Sequence, residues 1–137
     1  MKIDLSNLLK KEDNQNWSPE GFKAYLKASL IEIIRLELEN LPKEDWKRTL
    51  QTWRKICAFC KDMMKKGERE RFELYQKFGF DQTMIHISES VIEKLQAAYS
   101  LGLLKEKDPP DYIIRLGLED DKEGSEVISF MKEFFKV

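Results

Sequence analysis

The hydrophobic pattern of the chain is clearest in residues 43–66, where apolar side chains recur at helical spacing. One row is separated by steps of three and four residues and consists of Trp46, Leu50, Trp53, Cys57, Cys60 and Met64. A second row beside it consists of Ile56, Phe59 and Met63. Because successive residues of an α-helix are turned by about 100°, the two rows fill roughly half of the helix circumference. The pattern predicts one long helix with a buried side and a polar side.

A second long helix is predicted over residues 18–40. Ser18, Pro19 and Glu20 provide an N-cap, a first-turn proline and a first-turn acid, a strong signal for a helix start. The apolar residues that follow along one side are Phe22, Leu26, Leu30, Ile33 or Ile34, and Leu41. Residues 34–39 alternate apolar and charged side chains as a half-buried strand would. Their helix-forming composition and the absence of a turn signal nevertheless favour a helix.

Only Leu41 and Pro42 separate the two long helices. We therefore expect them to pack as an antiparallel helical hairpin at the centre of the fold. The residues of this pair that we expect in the core are Leu30, Trp53, Ile56 and Phe59.

Shorter helical patterns fill the rest of the chain. Residues 3–11 predict a short helix, followed by a polar loop at 12–16. After Gly67, residues 68–78 resume a helical pattern, either as a kinked continuation or as a separate helix. Asp81 is the predicted N-cap of a helix that ends near Gly102, although the Ile-rich run Met84–Ile87 leaves a short strand open.

Two further helix starts are predicted near the C-terminus. Asp108 is a predicted N-cap with Pro109 at the first helical position and Asp111 at the position of a capping-box acid. Ser125 is the predicted N-cap of the last helix. The fold expected from all these elements is all-α: a single domain over residues 1–137 that forms a bundle of five or six helices.

Composition narrows the classes of protein to which the chain can belong. A net charge of −1 gives the whole molecule no general attraction to nucleic acid or to membranes. The sequence has no apolar run of 18 residues and no secretory signal pattern, so we expect neither a membrane span nor secretion. Two cysteines three residues apart do not form a disulfide framework, which favours a reducing cytoplasmic setting.

The charge is distributed unevenly along the chain. Residues 43–77 contain 11 basic and 6 acidic groups, whereas residues 78–137 contain 7 basic and 12 acidic groups. The basic groups of the long helix 43–66 define a basic face that consists of Lys47, Arg48, Arg54, Lys55, Lys61, Lys65 and Lys66. Such a face can follow phosphates or an acidic protein surface, or it can pair internally with the acidic last part of the chain.

The sequence contains few groups with catalytic or metal-binding potential. Cys57 and Cys60 form a CxxC motif, but they lie well inside the helix on its apolar side, which favours core packing over redox chemistry. One CxxC supplies two of the four ligands of a zinc site, and His86 is the only histidine. The acidic segment 119–123 lacks the ligand spacing of a calcium-binding loop. We therefore predict neither a metal nor another cofactor, no small-molecule substrate and no enzyme activity.

The leading functional hypothesis is a non-catalytic interaction or assembly subunit that binds a protein partner or self-associates. The alternative is a small nucleic-acid-backbone-binding subunit of a nucleoprotein complex that uses the basic face. Both hypotheses depend on surfaces, so the sequence leaves the identity of the partner and the oligomeric state open.

Overall fold

The computed structural model describes residues 17–118 and 125–136, and these residues form six helices. Helix α1 covers residues 19–39 and consists of Pro19–Leu26, a π-helical turn Lys27–Ile31, and Glu32–Glu39. After a short 3-10 turn at Lys43–Asp45 come α2 (Trp46–Met63), α3 (Glu68–Phe78), α4 (Gln82–Ser100), α5 (Tyr112–Leu118) and α6 (Glu126–Phe134). The predicted all-α bundle is confirmed. The segments 3–11, 12–16 and 119–123, on which we also made predictions, lie outside the described residues.

Side-chain caps fix the starts of three helices, as their sequences predict. The hydroxyl of Ser18 accepts a hydrogen bond from Gly21 N at 3.0 Å, and Ser125 caps α6 through Ile128 N at 3.1 Å. The carboxylate of Asp81 accepts from Met84 N at 2.8 Å. Each bond satisfies an amide that the first helical turn leaves without a partner.

The π-helical turn changes which residues of α1 face inward. Glu32 N–H bonds to Lys27 O, five residues earlier, so the helix gains one residue in this turn. Leu30 and Ile31 are consequently both buried although they are neighbours in the sequence. After the turn, Ile34 is fully buried and Ile33 is 59% exposed.

Two tryptophans of α2 connect it to α1. Trp46 Nε1 donates to the carbonyl of Leu38 at 2.6 Å, and Trp53 Nε1 donates to Glu37 Oε2 at 3.2 Å. Both rings are buried. Each indole N–H has a hydrogen-bond acceptor, so burial of the ring leaves no donor unsatisfied. The antiparallel hairpin itself stays a prediction, since these contacts establish only that the two helices are neighbours.

The core is continuous across the described helices. Helix α2 packs most extensively on α4, whereas α5 packs on the first half of α1. The approach of α5 to α1 depends on Gly117, because a Cβ atom at that position would lie 3.2 Å from Ile31 Cδ1 and still closer to Ile31 Cγ1. Leu30 and Trp53 are buried as predicted, but Ile56 and Phe59 are only partly buried.

Three local predictions are resolved or corrected. Residues Met84–Ile87 belong to α4 and are helical. Gly67 separates α2 from α3, so residues 68–78 form their own helix. The start predicted at Asp108 is early: Asp108 accepts a bond from Lys105 N, residues 109–111 form turns, and α5 begins at Tyr112. Of the described helices, none is long and apolar enough to cross a membrane.

Candidate functional site

A deep cleft opens between α1, α2 and α4. Its volume is about 450 Å³, and its lining is dominated by apolar side chains. Leu30 and Ile33 of α1, Trp53 and Ile56 of α2, and Ile87 and Val91 of α4 supply these apolar surfaces. The π-helical turn contributes to the cleft directly, since Ser29 and Leu30 lie within it.

A second cleft of about 280 Å³ adjoins the first. Both clefts are lined by Thr52, Ile56 and Ile87, so they form one continuous depression, which we call the apolar groove. At the far end of the groove lie Phe59 and Phe80, whose ring centroids are 5.6 Å apart. The partial burial of Ile56 and Phe59 is explained by this position, because both residues lie at the base of an open groove.

Several large apolar side chains on the walls of the groove are exposed to solvent. Ile33 is 59%, Met84 44% and Ile87 38% exposed, and all three line the groove. Phe78 is also exposed and packs against Phe59 and Phe80 at the far end. A cluster of exposed apolar residues is more informative than isolated ones, because it is typical of an interaction surface.

The groove also contains charged groups at defined places. Lys94 lies at the deep end, is only 2% exposed, and donates to Ser90 Oγ at 2.7 Å. On the opposite wall, Glu37 is held by the indole of Trp53. Lys55 lies on the rim near the second cleft and is exposed. The groove thus combines a long apolar surface with a few polar positions, the usual composition of a binding site.

The structure divides the predicted basic face into two groups. Arg54 is engaged inside the fold: its Nη2 donates to the carbonyl of Phe134 at 3.1 Å, and its Nε lies 3.2 Å from Asp111 Oδ2. The Arg54 guanidinium also lies 4.1 Å from the centroid of the Phe134 ring. Lys61 donates to the carbonyl of Glu106 at 3.0 Å and is mostly covered. The charged groups of both residues are therefore paired with atoms in the last part of the chain.

The remaining members of the basic face stay near the surface. Lys47, Arg48, Lys55 and Lys65 are exposed, and Lys66 is half-buried with its amine 3.9 Å from Glu70. Arg54 and Lys61 lie between these residues on the polar side of α2. The face is consequently interrupted in its middle, and its ends are separate patches rather than one cationic stripe.

The two cysteines are buried in the core. Burial raises the pKa of the Cys57 thiol far above its usual range, and the charge of Cys60 adds to this effect. Burial likewise raises the pKa of Cys60 to about 12, with a smaller contribution from Glu89. Cys60 Sγ lies 3.6 Å from the carbonyl of Ser88. Thiols in this state are poor nucleophiles and poor metal ligands.

His86 lies at the surface, where it lines the mouth of the deep cleft. In the structure it shares the cleft with Ser90 and Lys94, but no hydrogen bond from its ring to another described residue is observed. Its position contributes to the rim of the groove.

A buried polar cluster stabilises the base of α3 against α4. Arg71 Nε and Nη2 donate to the two carboxylate oxygens of Glu89 at 2.9 and 2.8 Å, and Tyr75 OH donates to the same carboxylate at 2.6 Å. Burial alone would raise the pKa of Glu89, but the bonds from Arg71 and Tyr75 hold that pKa below its ordinary value. Arg71 is thus a structural residue of this cluster.

Sequence reasoning missed the apolar groove and the role of Lys94. A signal was present, because Ile33 and Ile34 are adjacent in α1 and cannot both face the core of a regular helix. In α4, the apolar residues Met84, Ile85 and Ile87 are likewise too many for one helix face. An excess of apolar residues around a helix indicates a second apolar surface.

Comparison with known proteins places the chain in a family. It is 38% identical to an uncharacterized protein of Aquifex aeolicus (strain VF5) over 146 aligned positions, which cover 99% of this chain and 98% of that protein. The chain belongs to the family of this Aquifex protein. No family model and no solved structure matches it. Since the Aquifex protein is uncharacterized, the function of this chain is inferred from the geometry of the site.

Proposed function

We propose that this protein is a non-catalytic assembly subunit that binds an amphipathic helix of a protein partner in the apolar groove. The observation that carries the proposal is the cluster of exposed apolar side chains, Ile33, Met84 and Ile87, around a depression that α1, α2 and α4 form. Helices dock in such depressions through apolar residues at positions i, i+3 or i+4, and i+7.

The dimensions of the groove fit this occupant. Met84 and Lys94 mark its two ends on α4 and are ten residues apart, which corresponds to about 15 Å along a helix. This length accommodates about three turns of a partner helix, enough for three successive apolar anchors. A partner that covers Ile33, Met84 and Ile87 would gain roughly 1 kcal/mol from each half-exposed side chain.

Binding to a nucleic-acid backbone is the alternative proposal, and the exposed residues Lys47, Arg48, Lys55 and Lys65 support it. The internal use of Arg54 and Lys61 weighs against it, because both would otherwise supply the central charges. A phosphate-binding face is most effective when its cations follow the backbone without interruption. The protein-binding proposal therefore has the stronger support.

The test compares two substitutions at sites of nearly equal exposure. Ile87→Asp introduces a charge in the groove, whereas Phe72→Asp introduces one on α3, at a side chain that is 39% exposed and does not line the groove. Tagged wild-type and variant proteins are used for affinity purification from extracts of the source cells, and each co-purified protein is quantified. Circular dichroism verifies that both variants are folded.

We expect a partner that wild type and Phe72→Asp retain equally and that Ile87→Asp loses at least about tenfold, because a carboxylate is then forced against an apolar helix. If no co-purified protein depends on Ile87, the groove is not the binding surface. Nuclease treatment and a salt titration test the alternative, since phosphate contacts would weaken steeply with salt.

A further inference from the structure

Lys94 is an unusual residue for the position it occupies. It is 2% exposed and lines the first cleft together with apolar residues such as Leu30 and Val91. A lysine that is almost fully buried normally has a carboxylate partner, because burying an isolated charge is costly. Within residues 17–118 and 125–136, Lys94 forms no ion pair.

The contacts of the Lys94 amine leave hydrogen-bonding capacity unused. An ammonium group has three N–H donors. Ser90 Oγ accepts one at 2.7 Å, and the ring of Tyr25 lies 5.1 Å away and offers its π face. The Lys94 amine therefore retains an N–H donor for which the described residues supply no carboxylate acceptor.

We propose that the partner helix carries an Asp or Glu side chain whose carboxylate enters the deep end of the groove and forms an ion pair with Lys94. This inference rests on the proposed function, because it describes the chemistry of the same bound helix. The carboxylate would accept the unused N–H of Lys94 in a charge-assisted hydrogen bond. The apolar neighbours of the acid on that helix would cover Ile33 and Ile87.

Desolvation makes this pairing selective. The Lys94 side chain is already almost fully buried in the free protein, so its ammonium carries a desolvation cost before any partner binds. A neutral side chain opposite Lys94 would leave the ammonium buried without a counter-ion, which is unfavourable unless the amine loses its proton. A carboxylate removes this penalty, so the groove discriminates between acidic and neutral helices that are equally apolar.

The pairing predicts a defined pH dependence. Burial lowers the pKa of Lys94 to about 8, and the charge of Glu93 opposes this effect. A bound carboxylate raises the pKa of the Lys94 amine. Above pH 8 the amine therefore takes up a proton when the carboxylate binds, and the affinity falls as the pH rises further. The other titratable groups around Lys94 are Glu93 and His86 of α4 and Tyr25 and Glu37 of α1. Among the α2 residues that line the groove, the titratable side chain is Lys55, which lies on the rim of the second cleft.

The probe for the experiment is decanoate, which combines an apolar chain with a carboxylate, and decanol is its neutral control. The methyl signals of Ile33 and Ile87 report occupancy of the groove by NMR, and those of Ile113 in α5 serve as the internal reference. We expect decanoate to bind about ten- to a hundredfold more tightly than decanol at pH 7, the gain typical of a hydrogen bond to a charged group. Its affinity should fall by up to about tenfold per pH unit above pH 8, whereas that of decanol should not change.

Lys94→Met should abolish the preference for decanoate and leave decanol binding in place. If Lys94→Met does not fold, the pH titration of the wild-type protein decides the question.

Equal affinity for the two probes, or decanoate binding that does not change with pH, would overturn the inference and leave the helix-binding proposal standing. Absence of any shift at Ile33 and Ile87 would also overturn it, while the affinity purification with Ile87→Asp tests the helix-binding proposal separately.

Discussion

Arg54 and Lys55 are adjacent on α2 and were both predicted to belong to one basic face, but the structure gives them opposite roles. Arg54 contacts Asp111 and the C-terminal carbonyl of α6, whereas Lys55 is exposed on the rim of the groove. Replacing each residue with Gln removes one positive charge and keeps a long helix-forming side chain. The pair of variants therefore separates a charge used inside the fold from a charge available outside it.

The cost of Arg54→Gln follows from three contacts. The bond to the Phe134 carbonyl is a hydrogen bond from a charged donor, and the Phe134 ring lies under the guanidinium. The contact to Asp111 is an ion pair by distance, because the Nε–H of Arg54 is not aligned for a hydrogen bond. Since Arg54 remains partly exposed, we expect a loss of about 1–3 kcal/mol in the free energy of unfolding. Lys55→Gln should change it by less than about 0.5 kcal/mol.

Urea unfolding followed by circular dichroism measures both values. For a chain of this size, each kcal/mol corresponds to a shift in Tm of about 3 °C, so Arg54→Gln should lower Tm by about 3–9 °C. The double variant Arg54→Gln with Asp111→Asn should be less unstable than the sum of the single variants, because each single change leaves the other group unpaired. Equal stability of Arg54→Gln and Lys55→Gln would refute the claim that the last part of the chain covers the middle of the basic face.

Three further predictions concern the core. Cys57 and Cys60 should not react with a thiol reagent in the native protein at pH 8, since burial keeps both thiols protonated. Both should react at once in denaturant. Rapid reaction of either thiol in the native protein would contradict their placement in the core. Gly117→Ala should cost about 1–3 kcal/mol in urea unfolding, because the added methyl group overlaps Ile31. The double variant with Ile31→Ala should be less unstable than the sum of the two single variants, because the smaller side chain removes the overlap. A neutral Gly117→Ala would refute the close approach. The pKa of Glu89 is lowered in the folded state, so its contribution to stability is complete above the ordinary glutamate pKa and is lost as the pH falls through the lowered value. Glu89→Gln should therefore flatten the dependence of the free energy of unfolding on pH in the acid range. An unchanged slope would count against the buried cluster.

The elements that the sequence predicted best are those with local causes. Ser18, Asp81 and Ser125 cap their helices as predicted, because a capping bond joins residues only three positions apart. The two long helices were predictable for the same reason, since an apolar stripe is a property of one segment.

The elements that the sequence did not predict depend on distant parts of the chain. Periodicity placed Arg54 and Lys61 on the polar side of α2. Their charged groups nevertheless bind residues near positions 106, 111 and 134, which are distant in the sequence. The groove was missed for a related reason. The π-helical turn shifts the register of α1 and leaves Ile33 outside the core. The adjacent pair Ile33 and Ile34 indicates a second apolar surface, but it does not show which residue faces the core or where the turn lies.

The most direct test of the account determines what lies in the apolar groove. A photo-reactive amino acid is placed at Ile87 in the groove and, in a separate protein, at Phe72 outside it. After irradiation in extracts of the source cells, the crosslinked peptides are sequenced by mass spectrometry. The account predicts that Ile87 crosslinks to one segment of one partner, that this segment is an amphipathic helix with an acidic residue among its apolar anchors, and that Phe72 does not crosslink to it. Crosslinks of equal yield from both positions, or crosslinks from Ile87 only to unrelated peptides, would contradict a helix-binding groove.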